Sequence, residues 1–329
     1  MATYKAIHGI KVQYRDSDAT AVEGDVWYNS TEGKLKMYAA AESWASGGNA
    51  NTARNDVAAA GTQTAGLVFG GSPNKDETES YDGSSWTEVG DLNQARFNLG
   101  GIGTQTAALA AGGEKAAPGP ETALTELFNG TSWTEVGDLN KERSSARGTA
   151  GTSTAALVVG GFQKAPSEGA STLVEQYNGT SWTEIADINT GRYSVSGCGT
   201  TTAAIINNGR PPTSSGKTES WNGSAWTEVA DLNTGRYATG IAGAGPSTST
   251  IVFGGYNPPN STGMTVTEQW NGTAWTEVND LSTQRYSPAN GTLGTSGSAL
   301  ATLGAPTPSV AGATEEWAAA ATIETVAFD

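Results

Sequence analysis

The chain is short of the residues that most protein chemistry needs. Among 329 residues there is one histidine, His8, and one cysteine, Cys198. One histidine cannot build the multi-histidine sites common for zinc or iron. A Ser-His-Asp relay would have to run through His8, and no Gly-x-Ser-x-Gly turn accompanies it. A lone cysteine allows no internal disulfide, and Cys198 reads as a small buried strand residue. No metal, no cofactor and no catalytic residue is therefore expected. No apolar run approaches the roughly 18 residues of a membrane-spanning helix, and the first residues lack the apolar core of a secretory signal. Membrane insertion is not expected, and synthesis in a cytoplasm is. Basic residues are scarce as well: 18 Lys and Arg stand against 33 Asp and Glu, a formal net charge of −15. Phosphate backbones are bound by clustered Lys and Arg, so nucleic acid and anionic membrane surfaces are poor partners. The excess acid serves to keep a lysine-poor surface soluble.

What the chain has in abundance is a repeat. Five times an aromatic residue is followed by Asn-Gly or Asp-Gly and then by a tryptophan: Tyr81-Asp82-Gly83 with Trp86, Phe128-Asn129-Gly130 with Trp133, Tyr177-Asn178-Gly179 with Trp182, Trp221-Asn222-Gly223 with Trp226, and Trp270-Asn271-Gly272 with Trp275. The tryptophans are 47, 49, 44 and 49 residues apart, and ten residues after each stands an arginine: Arg96, Arg143, Arg192, Arg236 and Arg285. Trp44 and Arg54 keep the same interval upstream. After each arginine a short apolar run ends in glycines, as in Leu67-Val68-Phe69-Gly70-Gly71. Runs of this length suit strands rather than helices. Asn-Gly predicts tight hairpins with type I′ geometry, and Trp-Thr-Glu-Val alternates as a two-faced strand does.

Each unit therefore reads as four strands, and four-stranded units at this period are propeller blades, each stacked on the next. The fold expected is all-β, a kelch-like β-propeller. Residues 54–329 hold six blades, at about 54–95, 96–142, 143–191, 192–235, 236–284 and 285–329. In the sixth, Thr322 takes the place of the fourth-strand tryptophan. Residues 1–53 are either a divergent first blade or an N-terminal attachment segment. They offer Lys5 to Arg15 as one strand, Gly24 to Asn29 as a second, a turn at Ser30-Thr31-Glu32-Gly33, and Lys34 to Tyr38 as a third. Since 329 divided by seven is 47, seven blades are favoured over six plus a hairpin module.

The repeated polar residues read as structural. Arg54, Arg96, Arg143, Arg192, Arg236 and Arg285 lie in the connections between units, where they should bond loop carbonyls and join neighbours; a ring of them could alternatively hold a sugar carboxylate. Their expected partners are Asp91, Asp138, Asp187, Asp231 and Asp280, five positions earlier. A glycosidase would need two carboxylates about 5–9 Å apart. The glutamates of the third strands (Glu79, Glu126, Glu175, Glu219, Glu268) and of the fourth (Glu88, Glu135, Glu184, Glu228, Glu277) instead follow the repeat, and should face solvent or pair across strands. Four Asn-Gly-Thr/Ser turns match glycosylation acceptors, but turn geometry accounts for them.

Diversity is concentrated in the loops after the second strands, which is where binding residues are expected on a rigid frame. The candidate ligand-binding residues are Tyr256, Asn257 and Asn260, in a loop with Pro258 and Pro259, together with Phe162, Gln163 and Arg210. Trp44, Trp86, Trp133, Trp182, Trp226 and Trp275 are expected to fill the contacts between units.

Paired glycines, an aromatic in the next strand and a tryptophan in the fourth resemble the kelch-repeat and galactose oxidase-type propellers. That resemblance implies binding through the loop-bearing face; the oxidase copper site needs Tyr, His and Cys groups that a one-histidine chain does not supply. The repeated Asn-Gly-Thr-Ser-Trp-Thr-Glu-Val, with the opening Glu23-Gly24-Asp25-Val26-Trp27-Tyr28-Asn29-Ser30-Thr31-Glu32-Gly33-Lys34-Leu35, is similar to tail-fibre and tail-associated proteins of marine bacteriophages. It implies a non-enzymatic virion structural or adhesion protein at the tail or virion surface. Its partners would be other virion proteins and a host surface glycan or receptor, with homo-oligomers allowed. The alternative reading is a cellular kelch-type protein–protein interaction module.

Overall fold

In a computed structural model of the chain, residues 12–17, 25–116, 121–164, 169–210, 215–243, 247–258, 260–305 and 312–325 are described. His8, Lys5, Pro259 and the closing Val326-Ala327-Phe328 lie outside them. The chain divides into two compact units, 44–317 and a smaller one of 1–43 with 318–329.

The larger unit is all-β, built from four-stranded antiparallel sheets that repeat along the chain. The first sheet holds Ala58–Thr62, Ala65–Gly71, Lys75–Tyr81 and Trp86–Glu88. The second holds Gly100–Thr104, Ala107–Ala111, Thr125–Phe128 and Trp133–Glu135. The third holds Gly148–Thr152, Ala155–Val159, Val174–Tyr177 and Trp182–Glu184. The fourth holds Ser196–Gly199, Ala204–Asn207, Thr218–Trp221 and Trp226–Val229, and the fifth Gly240–Ala242, Thr250–Phe253, Thr267–Trp270 and Trp275–Val278. A sixth set of strands follows, Gly294–Thr295, Ser298–Thr302 and the start of Thr314–Thr325. The strand beside this last one is not from the C-terminal end but from Lys34–Ser46. The tryptophan expected near Thr322 is thus supplied by Trp44, whose ring lies 5.4 Å from that of Trp317.

Alternation along the strands gives each sheet two apolar faces. On the first sheet Ala58, Ala60, Leu67 and Phe69 pack with Leu99, Ala108, Ala110, Phe128 and Trp133 of the second. Ala59, Val68, Tyr81 and Trp86 point the other way and pack with Ala289, Leu293, Leu300 and Leu303. In the first five sheets the third-strand aromatic and the fourth-strand tryptophan are paired across the hairpin, with centroids 4.8–5.3 Å apart. Near the first strands there are also polar contacts. Arg147 donates to the Pro288 carbonyl at 2.6 Å, and Asn290 Nδ2 to Ser196 Oγ at 3.2 Å and the Thr239 carbonyl at 3.1 Å.

The Asn-Gly hairpins differ from the type I′ geometry expected. Phe128 pairs with Trp133, so four residues make the loop. Asn129 Oδ1 accepts from the N–H groups of Thr131 and Ser132, both at 2.9 Å, and only Gly130 has a positive φ, +94°. A short amide that caps its own turn removes the need for two left-handed residues.

In the smaller unit Val26–Asn29 pairs antiparallel with the start of Lys34–Ser46 around the expected turn, where Asn29 Oδ1 accepts from Thr31 and Glu32 N–H, each at 3.0 Å. Gln13–Arg15 pairs parallel with Trp27–Asn29, unlike the antiparallel first strands of the larger unit.

The tryptophans also join sheets by hydrogen bonds. Trp133 Nε1 donates to Thr78 Oγ1 of the preceding sheet at 3.1 Å; Trp182 to Thr125, Trp275 to Thr218 and Trp44 to Thr267 all do so at 3.2 Å, and Trp86 to Thr314 at 3.3 Å. For Trp226 the equivalent position is Val174, and the buried Trp226 Nε1 has no partner among the described residues. A buried donor left without an acceptor costs stability. Val174→Thr should therefore raise the unfolding free energy by roughly 0.5–1.5 kcal/mol, and Thr125→Val should lower it by a similar amount. Urea denaturation measures both; a destabilised V174T would mean the hydroxyl does not reach Trp226.

Candidate functional site

The linker arginines belong to the frame. Arg54, Arg96, Arg143, Arg192, Arg236 and Arg285 are all buried, and each is paired with a third-strand glutamate. Arg96 meets Glu126 at 3.0 Å, Arg236 meets Glu268 at 2.5 Å and Arg285 meets Glu315 at 2.6 Å; Arg54, Arg143 and Arg192 are paired likewise with Glu79, Glu175 and Glu219. Of the aspartates expected as partners, four bond the backbone instead, and Asp187 accepts from Thr172 Oγ1 at 2.7 Å. Asp91, Asp138, Asp231 and Asp280 accept from the N–H groups of Thr78, Thr125, Thr218 and Thr267. The third-strand glutamates, expected at the surface or in cross-strand pairs, are interior. Their second oxygen takes the linker asparagine, as when Asn140 N–H and Nδ2 both bond Glu175 Oε2 at 2.7 Å. Burial pulls the Arg143 guanidinium below its ordinary pKa, and Glu175 works against that shift. The fourth-strand glutamates are exposed, as expected.

Two residues beyond each of these arginines the backbone turns left-handed. Asp56, Asn98, Ser145, Ser194, Ala238 and Ser287 have φ between +47° and +55°. Each N–H donates to the carbonyl of its counterpart in the preceding sheet: Asn98 to Asp56, Ser145 to Asn98, Ser194 to Ser145, Ala238 to Ser194, Ser287 to Ala238, and Asp56 to Ser287, at 2.8–3.3 Å. The six bonds form a closed cycle. An L-residue in this conformation costs about 1–2 kcal/mol, and glycine would remove the cost. Side chains held there against strain mark a place where side chains are used.

Asp56, Asn98, Ser145, Ser194, Ala238 and Ser287 line a cavity of about 430 Å³ together with Tyr193, Arg210, Tyr237, Tyr256 and Tyr286. Its wall is built from equivalent positions. The residue after each linker arginine forms a short antiparallel bridge with the residue after the glycines: Asn55 with Ser72, Phe97 with Glu114, Ser144 with Phe162, Tyr193 with Arg210, Tyr237 with Tyr256, and Tyr286 with Ala305. The pairing keeps both side chains of each bridge at the same level, and the sequence diversifies them. From the third sheet to the sixth the choice is aromatic and cationic. Phe162 and Tyr193 are 5.4 Å apart, Arg210 lies 5.9 Å from the Tyr193 ring and 5.0 Å from the Tyr237 ring, and Tyr256 is 5.3 Å from Tyr237 and 5.6 Å from Tyr286. Burial raises the Tyr237 hydroxyl above the usual phenol pKa, with Arg210 pulling the other way, so the ring is neutral at pH 7. Among the other lining residues, Asp56 lies 3.6 Å from the buried Arg147, and the Asn98 amide reaches Glu114 at 3.4 Å.

Of the predicted ligand residues, Arg210 and Tyr256 line this cavity and Phe162 extends the arc through Tyr193. Gln163 and Asn257 lie one residue further out in two short hairpins, paired with Gly169 and Asn260. Asn260 is described only by its backbone. Tyr193, Tyr237, Tyr286, Asp56 and Asn98 escaped sequence reasoning, although the Arg-Tyr dipeptides at 192–193, 236–237 and 285–286 carried the signal. Cys198 is buried and donates to Thr250 Oγ1 at 3.3 Å; burial pushes its thiol up to about 11, so it is no nucleophile at neutral pH. Among the described residues no group of His, Cys, Asp and Glu could hold a metal, and no helix is long and apolar enough to cross a membrane. No protein-family model and no curated protein matches the chain.

The two acidic series can be separated by mutation. Glu175→Gln leaves Arg143 buried without a counter-charge and should lower the unfolding free energy by about 3–5 kcal/mol. Asp187→Asn, at an exposed carboxylate, should change it by less than about 0.5 kcal/mol. Thermal and urea unfolding of the two variants measure the difference; equal effects would return the aspartates to the role of arginine partners.

Proposed function

We propose that the repeated sheets are the blades of a closed, kelch-like β-propeller with six blades, and that the protein is a non-enzymatic adhesion or structural protein of a bacteriophage virion. A count of six blades rather than seven is supported by Trp44–Ser46 serving as the outer strand of the last sheet. The closed cycle from Asp56 to Ser287 and the apolar cluster between the first sheet and Leu293, Leu300 and Leu303 support closure. The virion setting rests on the sequence resemblance of the Asn-Gly-Thr-Ser-Trp-Thr-Glu-Val repeats and of the segment from Glu23 to Leu35.

The observation that carries the binding function is the arc of Tyr193, Arg210, Tyr237, Tyr256 and Tyr286, which lines the cavity together with Asp56 and Asn98. Its volume is within the range of small-ligand sites, roughly 300–1,000 Å³. Flat aromatic faces next to hydroxyls, an amide and a carboxylate suit a pyranose ring, which has an apolar face and a hydroxyl edge. A host surface glycan is therefore the ligand we assign. The absence of catalysis is part of the same reading: the repeated third-strand carboxylates are consumed by arginine and asparagine, and Asp56 lies against Arg147.

Two measurements test these statements. On an oligosaccharide array, Tyr237→Ala and Tyr256→Ala should each weaken the strongest binding about tenfold, equivalent to about 1.4 kcal/mol. Their unfolding midpoints should stay near wild type, since both rings are only half-buried. Undiminished binding in the double variant removes the arc from the function. Antibodies raised against the chain should label the tail or fibres of intact phage particles that carry it, and unlabelled particles would favour a cellular interaction module.

A further inference from the structure

We infer that the cavity is specific for an acidic pyranose, a uronate residue whose carboxylate is held by Arg210 while its ring lies against Tyr256 and Tyr286. This rests on the glycan reading above and narrows it to a chemical class. The chain has nine arginines. Six are paired with third-strand glutamates, Arg15 meets Asp25 at 2.8 Å and Arg147 meets Asp56 at 3.6 Å. Arg210 is the exception: among the described residues no carboxylate lies within salt-bridge distance of it.

The geometry around Arg210 is that of a held cation. Its backbone is fixed by two hydrogen bonds to Tyr193, at 2.9 and 3.2 Å. Its guanidinium is set over Tyr193 and Tyr237, 5.9 and 5.0 Å from the ring centres. A cation–π contact uses no N–H group of the guanidinium, and its N–H edge matches a carboxylate with two parallel hydrogen bonds. Holding the fork before the ligand arrives reduces the side-chain entropy lost on binding.

The rest of the cavity sets the orientation. Asp56 and Asn98 also line the cavity, with Asp56 lying 3.6 Å from Arg147. A ligand carboxylate is attracted to Arg210, while sugar hydroxyls can donate to Asp56 and to the serines of the floor. The net charge of −15 opposes an acidic ligand at long range, but salt screens charges beyond about 8 Å at physiological ionic strength. Contact with Arg210 is well inside that distance. A sugar carboxylate thus falls to Arg210 and not to the six linker arginines, which are buried and already paired.

The test uses the full chain and isothermal titration with trisaccharides of galacturonate, glucuronate and mannuronate, each against its neutral methyl ester. At least one acid should bind about ten times or more tighter than its ester, a difference of about 1.4 kcal/mol. Arg210→Gln should abolish that preference while keeping the unfolding midpoint, and Arg210→Lys, which keeps the charge but not the planar fork, should fall between. Equal affinity for acid and ester, or an unaltered preference in Arg210→Gln, overturns the inference. If only neutral saccharides bind, the inference falls and the glycan reading stands; if no saccharide on the array binds, both fall.

Discussion

Everything in the larger unit depends on how the linker arginine is held. Its carbonyl accepts from the second glycine of the sheet it has left, as Arg96 does from Gly71 at 2.9 Å, and its guanidinium reaches the glutamate of the sheet it is entering. One residue therefore fixes two sheets to each other, and several features of the repeat follow from that. A Cβ on Gly70 would sit 2.6 Å from the Arg96 carbonyl oxygen, at a φ of +68° where side chains are strained in any case. The paired glycines are thus needed for the approach of the linker and not only for the turn. The linker asparagine completes the arrangement by sharing the same glutamate. Burying a charged pair has a desolvation cost that works against its attraction, so such pairs add little net stability. What the pair does provide is register, because a linker shifted by one residue would bury both charges unpaired.

A frame fixed in this way leaves the wall of the cavity free to differ from sheet to sheet. The positions just after the arginine and just after the glycines are tied by backbone bridges whatever their side chains, so Tyr193–Arg210 and Asn55–Ser72 are built on equivalent backbone. Aromatic or cationic residues occupy the third to sixth sheets, whereas the first has Asn55 with Ser72 and the second Phe97 with Glu114. The repeat is regular wherever it makes contact between sheets and irregular where it faces the cavity. Such a division fits recognition better than packing, since packing would favour the same residue in each sheet.

The periodic parts of this design were legible in the sequence. Trp, Arg, Gly-Gly and the aromatic before Asn-Gly recur at nearly fixed intervals, and from them came the four-stranded unit and its tryptophan contacts. The arginine partner was not legible, because Asp138 and Glu175 belong to series of the same period and spacing cannot tell which one is interior. What decides is the alternation of the third strand, which turns Glu175 inward while Asp187 stays exposed. The role of Trp44 was hidden for another reason. Pairing between residues far apart in sequence leaves no local signal, and 329 divides by seven as readily as the structure pairs Trp44 with Trp317. The cavity was half legible: Phe162, Arg210 and Tyr256 stood out as loop residues, whereas Tyr193, Tyr237 and Tyr286 follow an arginine so closely that they read as part of the frame.

The left-handed residues connect these observations. A cycle of six backbone hydrogen bonds could be made by six glycines without strain, yet glycine stands at none of the six positions, although the chain has 44 of them. Conformational strain at six sites, about 1–2 kcal/mol each, is retained where it brings Asp56, Asn98 and three serines to the cavity. The tyrosine wall alone would bind any flat apolar group. Polar side chains on the floor make the cavity selective, because a ligand that cannot hydrogen-bond them must leave desolvated groups unpaired. On the proposed reading, the strained floor and Arg210 are two parts of one discrimination, the first against ligands without hydroxyls and the second against ligands without a negative charge.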